Sequence, residues 1–242
     1  MNISNKIVLI TGANRGIGRA LVNEALRRGA KRVYAGARGA LDIPDPRVRA
    51  VSLDVTSEAD IKRVAREIKA LDVLINNAGI ALYEDLTESD SIEQHLAVNV
   101  FGALHLTRAL LPLLKRSKGA IVNNLSVVAL AQLPLIPSYC ISKAAALSMT
   151  QSLRATLAAQ GVSVHGVFLG PVDTDMNRGF DIPKAPPESA AKGIFNGLER
   201  GEEDIFPDPI SESIAAGWRN GVAKAFERQN AGFLPPAAAG AA

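Results

Sequence analysis

An apolar run that passes at once into a glycine-rich turn is the feature that most constrains this fold. Residues Lys6–Thr11 (KIVLIT) predict a buried strand, and residues 11–18 read TGANRGIG. Apolar residues then recur at helical spacing from Ile17 to Arg28, which predicts a helix directly after the turn. Glycines between a strand and a helix let the backbone approach a diphosphate, and the helix start offers free N–H groups. The segment favours a nucleotide site, with close helix–strand packing as the alternative reason for the glycines.

Short apolar runs alternate with helical patterns along the rest of the chain. The predicted strands are residues 6–11, 32–37, 48–53, 73–75, 120–125, 162–169 and 204–206. Strands that are apolar throughout and alternate with helices predict a parallel sheet covered on both faces. We therefore expect a doubly wound α/β sheet of about seven strands in one domain, residues 1–234, followed by a disordered tail at 235–242. The long helix Ile92–Leu114 is expected to bend near Pro112, and the last helix to run from Pro209 to Arg228.

Composition bears on the partners of the chain. The net charge is only +3 over 242 residues and no Lys/Arg run stands out, which argues against nucleic acid. A single cysteine, Cys140, excludes an internal disulfide and a cysteine-rich zinc site, so we predict no metal. Residues 119–142 lack charge, but polar residues and two prolines argue against a membrane span. No signal-peptide pattern is present, and the expected compartment is the cytoplasm.

The residues around the second predicted strand bear on the choice of dinucleotide. An acidic residue about 20 positions beyond the glycine turn would bind a ribose 2′-hydroxyl and favour NAD(H). This chain has Ala37-Arg38 there, and Arg15 lies inside the turn. Two guanidinium groups match a 2′-phosphate. The sequence therefore predicts NADP(H), unless both arginines are ordinary surface charges.

Tyr139 and Lys143 are four residues apart on a predicted helix, so they share a face. A nearby ammonium group stabilises a phenolate and lowers the phenol pKa from its usual value near ~10, which suits a general acid or base. Ser126 ends a predicted strand and would face the same crevice as the glycine turn. Asn99 lies in the long helical pattern although asparagine is a poor helix former. These residues predict a proton-transfer site; a helix-face pair without chemistry is the alternative.

Together these motifs resemble the short-chain dehydrogenase/reductase family over nearly the whole chain. They are TGANRGIG at 11–18, Asp54, NNAG at 76–79, Asn99, Ser126, YCISK at 139–143 and a Gly170…Thr174 segment. The resemblance implies a single-domain Rossmann fold, an NAD(P) cofactor, and hydride transfer between a ketone or aldehyde and an alcohol. Two departures stand out: Leu169-Gly170 replaces the usual Pro-Gly, and Asn124-Leu125 precedes Ser126 where a Ser-Ser pair is common.

The resemblance also implies a role for each matching residue. Tyr139 would be the acid in reduction, Lys143 would hold the nicotinamide ribose, and Ser126 would hydrogen-bond the reacting oxygen. Asn99 would hold a water that relays protons towards Lys143. Asp54 would meet the adenine amino group. The implied cofactor-binding residues are Gly12, Asn14, Arg15, Gly16, Ile17, Gly18, Arg38, Asp54, Val55, Asn77, Ala78, Gly79, Asn99, Tyr139, Lys143, Gly170, Val172 and Thr174.

The substrate is less constrained than the cofactor. The apolar stretch Val127–Pro137 and the residues Met176, Phe180 and Ile182 suit an aryl, alicyclic or long-chain ketone, although each could instead pack in the core or an interface. The resemblance implies a homodimer or homotetramer formed through the two long helices. A catalytically silent NADP-binding regulatory or scaffold protein is the alternative function. It would be expected to lose part of the proton-transfer set, which this chain retains.

Overall fold

A seven-stranded parallel sheet forms the centre of the computed structural model, which describes residues 1–39, 41–87 and 89–233. The strand order is β3-β2-β1-β4-β5-β6-β7. The strands are β1 Ile7–Thr11, β2 Arg32–Ala37, β3 Val48–Ser52, β4 Val73–Asn76, β5 Ala120–Asn124, β6 Ser163–Val167 and β7 Asp204–Ile205. Chain order reverses between β1 and β4, and ligands of such sheets bind at this point, outside the carboxyl ends of the strands.

Helices cover both faces of the sheet. They are α1 Gly16–Arg27, α2 Glu58–Glu67, α3 Ser89–Leu96, α4 Ala103–Ser117, α5 Pro137–Ala158, α6 Pro187–Arg200, α7 Pro209–Arg219 and α8 Val222–Ala231. Side chains of β1 alternate between the faces, as the two-residue period of a strand requires. Val8 and Ile10 pack with α1 and α6, whereas Leu9 packs with α2 and α4. The predicted layered α/β architecture is confirmed, and the tail predicted at 235–242 lies outside the described residues.

The long helix between β4 and β5 differs from the prediction. Its α-helical pattern is interrupted by a π-helical turn at Ala97–Gly102, not at Pro112, which lies within α4. A π turn inserts one extra residue and is frequent at functional sites. By length and composition, Asp90–Ser117 could also cross a membrane. A buried core helix passes the same test, and Leu106, Leu110 and Leu114 are fully buried in this fold.

The predicted final helix, Pro209–Arg228, is two helices. α7 ends at Arg219, Gly221 adopts an extended conformation, and α8 begins at Val222. Asparagine and glycine at 220–221 favour this break because both are poor helix formers. The change of direction lets the buried Lys224 of α8 reach Asp204, 2.8 Å away on β7.

Candidate active site

A cavity of about 480 Å³ lies at the carboxyl ends of the strands. Its walls contain Ser126 and every residue predicted to contact the cofactor except Asn99. The polar end is formed by Gly12, residues 14–18, Arg38, Asp54 and Asn77. The apolar end is formed by Tyr83, Leu133, Ile136, Met176, Phe180 and Ile182. The fold thus brings segments from across the chain into one site.

The shape of the glycine turn depends on the close approach of its own backbone atoms. Gly12 and Gly16 have φ of +66° and +52°, a region that favours glycine. A Cβ atom on Gly18 would lie 2.0 Å from the Gly12 carbonyl oxygen, so a side chain there would displace the turn. The first turn of α1 has no acidic residue, and no described side chain caps its N-terminus. A free helix N-terminus at the wall of a cavity is suited to a diphosphate.

Hydrogen bonds tie the glycine turn to the neighbouring strands. The Thr11 hydroxyl accepts hydrogen bonds from the backbone N–H groups of Asn77 and Ala78, both at 2.9 Å. The Asn77 amide donates to the Thr11 carbonyl at 2.8 Å and accepts from Asn124 Nδ2 at 2.8 Å. The Asn77 side chain therefore fixes the glycine turn against β5. Asn124, noted in the sequence only as a departure, is the link to β5.

Tyr139, Ser126 and Lys143 converge on this cavity. Lys143 Nζ lies 5.5 Å from the Tyr139 ring centroid and donates to the Asn124 carbonyl at 2.7 Å. The Ser126 hydroxyl donates to the Leu169 carbonyl at 3.2 Å and accepts from Val128 N–H at 3.3 Å. The three residues come from the segment just after β5 and from the first two turns of α5, as their sequence spacing predicted.

Burial overturns the expectation that Lys143 lowers the pKa of Tyr139. Removal from water disfavours the phenolate and raises the Tyr139 pKa to about 12, with the Ser126 hydroxyl acting in the opposite direction. Burial also lowers the pKa of Lys143 to about 8 because it disfavours the ammonium form. At neutral pH the phenol is therefore protonated, which is the form a proton donor needs.

Asn99 is buried next to the cavity, and its role as a cofactor contact stays a prediction. Its amide accepts a hydrogen bond from Ile80 N–H at 2.9 Å and donates to the Ile80 carbonyl at 3.0 Å. The second amide hydrogen goes to the Ser142 hydroxyl at 2.9 Å. With both hydrogens used, this buried side chain clamps the segment after Gly79 against α5. The idea that Asn99 holds a relay water stays a prediction.

The two arginines approach the polar end from different elements. Arg15 Nη1 forms an ion pair with Asp175 Oδ2 at 2.5 Å, and Arg38 lies next to Asp54 at the ends of β2 and β3. The pKa of Asp54 is lowered first by the Thr56 hydroxyl and backbone N–H, and less by Arg38. Asp54 is thus an anion at neutral pH. Both guanidinium groups remain exposed and can meet a further anion.

Sequence reasoning missed Asp208, which positions the Gly170 segment. Asp208 Oδ2 accepts a hydrogen bond from Gly170 N–H at 2.8 Å, and Oδ1 accepts from Ser211 N–H at 3.0 Å. The buried Asp208 is the N-cap of α7 and forms a capping box with Ser211. A signal was present in the sequence, because Asp-Pro-Ile-Ser at 208–211 has the pattern of a capped helix start.

Comparison with known proteins identifies the family. The short chain dehydrogenase family model matches residues 6–184, which include the glycine turn, Ser126, Tyr139 and Lys143. The chain belongs to the short-chain dehydrogenase family. Its members are oxidoreductases that use NAD(P), so the Rossmann-type fold and the oxidoreductase class expected from the sequence are confirmed.

Individual relatives agree with this assignment. A short chain dehydrogenase from Burkholderia cenocepacia, solved in complex with NADP, is 36% identical with a TM-score of 0.87, covering 97% of this chain and 100% of that one. The 11-beta-hydroxysteroid dehydrogenase-like 3 of Arabidopsis thaliana is 33% identical over 84% of this chain and 74% of its own length. Sorbitol dehydrogenase of Cereibacter sphaeroides is 32% identical over 80% of each chain.

Proposed function

We propose that this short-chain dehydrogenase is an NADP(H)-dependent enzyme that interconverts a ketone or aldehyde and an alcohol on an apolar substrate, with Tyr139 as the acid or base. The observation that carries the proposal is the convergence of Tyr139, Ser126 and Lys143 on the cavity that also contains the glycine turn. Carbonyl reduction requires proton donors beside a bound nicotinamide cofactor, and the glycine turn is suited to bind the diphosphate of such a cofactor.

The polar end fits a dinucleotide in shape and charge. The positive φ of Gly12 and the uncapped start of α1 suit a diphosphate. Arg15 and Arg38 line this end and would hold a 2′-phosphate, and the similar Burkholderia cenocepacia structure contains NADP. NAD(H) would leave these two cations without that partner. When bound, the nicotinamide supplies or accepts the hydride.

The proton-transfer residues act on the oxygen of the substrate. A protonated Tyr139 donates to the oxygen as negative charge develops there, and Ser126 is the second donor once its hydroxyl turns from the Leu169 carbonyl to the substrate. Such donors stabilise the transition state more than the ground state. Lys143 Nζ, held by the Asn124 carbonyl, supplies positive charge beside the Tyr139 ring and can bind a ribose hydroxyl.

The apolar end indicates the character of the substrate. Tyr83, Leu133, Ile136, Phe180 and Ile182 offer little to hydrogen-bond the hydroxyls of a polyol. Hydrophobic walls with few polar groups are typical of sites for apolar ligands. The chemistry of this wall thus favours a hydrocarbon-rich ketone over a substrate of the kind named for sorbitol dehydrogenase.

We also propose a cytoplasmic homo-oligomer formed through α4 and α5. Ala144 and Ser148 on α5 are exposed, as are the apolar Phe101 and Ile141, whereas Ala146 is buried against the sheet. Small exposed residues permit the close approach of a second helix. Sedimentation of the purified chain would give the number of subunits.

A carbonyl screen tests the function. We expect NADPH, and to a lesser extent NADH, to raise the melting temperature of the protein. When an apolar ketone or aldehyde is added, we expect the absorbance of the reduced cofactor to fall as it is oxidised. Binding without turnover of any carbonyl or alcohol would favour the silent NADP-binding protein. Absence of cofactor binding would overturn the proposal.

A further inference from the structure

Two aromatic rings face each other at the apolar end of the cavity. The ring centroids of Tyr83 and Phe180 lie 5.4 Å apart with an interplanar angle of 33°. The residues come from different segments, one after β4 and one after β6. We propose that this pair is a specificity-determining gate that selects flat aromatic ketones, or the matching alcohols, as substrates. The proposal rests on the proposed function and narrows its substrate class.

The Tyr83 side of the gate is fixed by its flanking residues. The Asn99 amide binds both backbone groups of Ile80, and Leu82 N–H donates to His95 Nε2 at 3.0 Å. The Glu84 carboxylate accepts from Ser138 N–H, the residue before Tyr139, at 2.8 Å. The anchored residues 80, 82 and 84 therefore alternate with Ala81 and Tyr83, and Ile80, Ala81 and Tyr83 line the cavity. This arrangement fixes the residues on both sides of Tyr83.

The Phe180 side belongs to a loop that is closed at its base. Asp173 N–H donates to the Ala185 carbonyl at 2.9 Å, and Ala185 N–H donates to the Pro171 carbonyl at 3.0 Å. Within the loop, the Arg15–Asp175 ion pair ties the chain to the glycine turn. Phe180 thus meets the Tyr83 ring from a second segment of the cavity wall.

The walls near the gate match an uncharged aromatic ring. Among the described lining residues, the charged ones are Arg15, Arg38, Asp54, Lys143 and Asp175, and only Lys143 belongs to the reacting group. Aliphatic walls are supplied by Val128, Leu133, Ile136, Met176 and Ile182. Aromatic rings prefer offset or tilted contacts with other rings at centroid distances of about 4.5–7 Å. A flat ring can stack on either member of the gate, whereas a puckered saturated ring cannot.

A matched pair of ketones tests the gate. Acetophenone and cyclohexyl methyl ketone have the same carbon skeleton, but only the first has a flat ring. We expect the unmodified enzyme to favour acetophenone in kcat/KM and in binding in the presence of NADP⁺. Tyr83→Leu and Phe180→Leu should each reduce that preference by about 3- to 10-fold, mainly through KM, because they keep apolar bulk and remove a ring. Tyr83→Phe keeps the ring and should keep the preference.

The controls separate failure of the gate from failure of the proposed function. Tyr83 is exposed, so its replacement should not unfold the chain, and an unchanged NADPH-induced melting shift confirms an intact cofactor site. Equal preference for both ketones, or a preference that survives both leucine variants, overturns the gate while reductase activity stands. If no ketone turns over, the dissociation constants of the two ketones, measured by saturation-transfer NMR, still decide whether the gate selects flat rings.

Discussion

The polar end of the cavity is held by hydrogen bonds between strand ends, whereas the apolar end is formed by irregular segments that meet through side chains. At the polar end, the side chains of Thr11, Asn77 and Asn124 link β1, β4 and β5 by hydrogen bonds to one another and to backbone groups. At the apolar end, Tyr83 and Phe180 meet only through their rings. The difference teaches that one end tolerates almost no change in geometry, while the other can vary in shape without disturbing the sheet.

The largest effect on activity should come from replacing Tyr139, the proposed proton donor. Tyr139→Phe removes the proton donor but keeps the ring, so we expect kcat to fall by at least about 100-fold with NADPH binding retained. Single-turnover kinetics and cofactor titration measure the two quantities. Near-normal turnover by this variant would show that proton transfer does not depend on Tyr139.

The next effect tests the charge of the polar end. Arg38→Asp places an anion where we propose the 2′-phosphate, so kcat/KM with NADPH should fall by about 10- to 100-fold while NADH is little affected. Arg32→Asp, at the opposite end of the same strand, is the matched control and should change neither cofactor. An equal loss with both cofactors would remove Arg38 from 2′-phosphate recognition.

Sequence reasoning succeeded where function depends on local order along the chain. The turn at 11–18, the spacing of Ser126 and Tyr139, and the strand at residues 32–37 are readable because neighbours in sequence form one element. Ser57 caps α2 by accepting a hydrogen bond from Asp60 N–H, three residues on in sequence, at 3.2 Å. The residues expected at the cavity follow strand ends, and parallel strands place those ends at one edge.

The features that were mispredicted depend on tertiary contacts. The interruption at 97–102 accompanies the binding of Asn99 to Ile80, and the break at 220–221 accompanies the reach of Lys224 to Asp204. The pKa of Tyr139 rises because the fold withdraws the half-buried phenol from water, an effect that a four-residue spacing cannot reveal. Each correction comes from a partner distant in sequence.

A smaller effect should follow from loosening the support of the Gly170 segment. Asp208→Ala removes the N-cap of α7 and leaves Gly170 N–H without its acceptor, which should lower the free energy of unfolding by about 2 kcal/mol. In a domain of this size, the melting temperature would fall by about 5 °C. Asp208→Asn keeps one oxygen acceptor and should lose less. Equal melting temperatures for the alanine variant and the unmodified chain would contradict this role.

The smallest effect concerns Lys143, which lines the cavity together with residues of the polar and apolar ends. Because burial depresses the pKa of Lys143 from its ordinary value of 10.5 to about 8, the folded state releases its proton before the unfolded state does. The unfolded state then binds more protons between pH 8 and 10.5, so Lys143 makes stability rise with pH across that window. Relative to a Lys143→Met variant, the unmodified chain should gain about 1 kcal/mol between pH ~7 and ~9, measured by urea unfolding.

Tyr139→Phe supplies the control for that titration. The Tyr139 pKa is raised to about 12, so the unfolded phenol ionises first and its contribution to stability changes only near and above pH 10. Its variant should therefore show no difference in slope between pH ~7 and ~9. If the stability of Lys143→Met has the same slope with pH as that of the unmodified chain, the ammonium group is not desolvated in the folded chain. The contact between Lys143 and the Asn124 carbonyl would then leave the ammonium group hydrated.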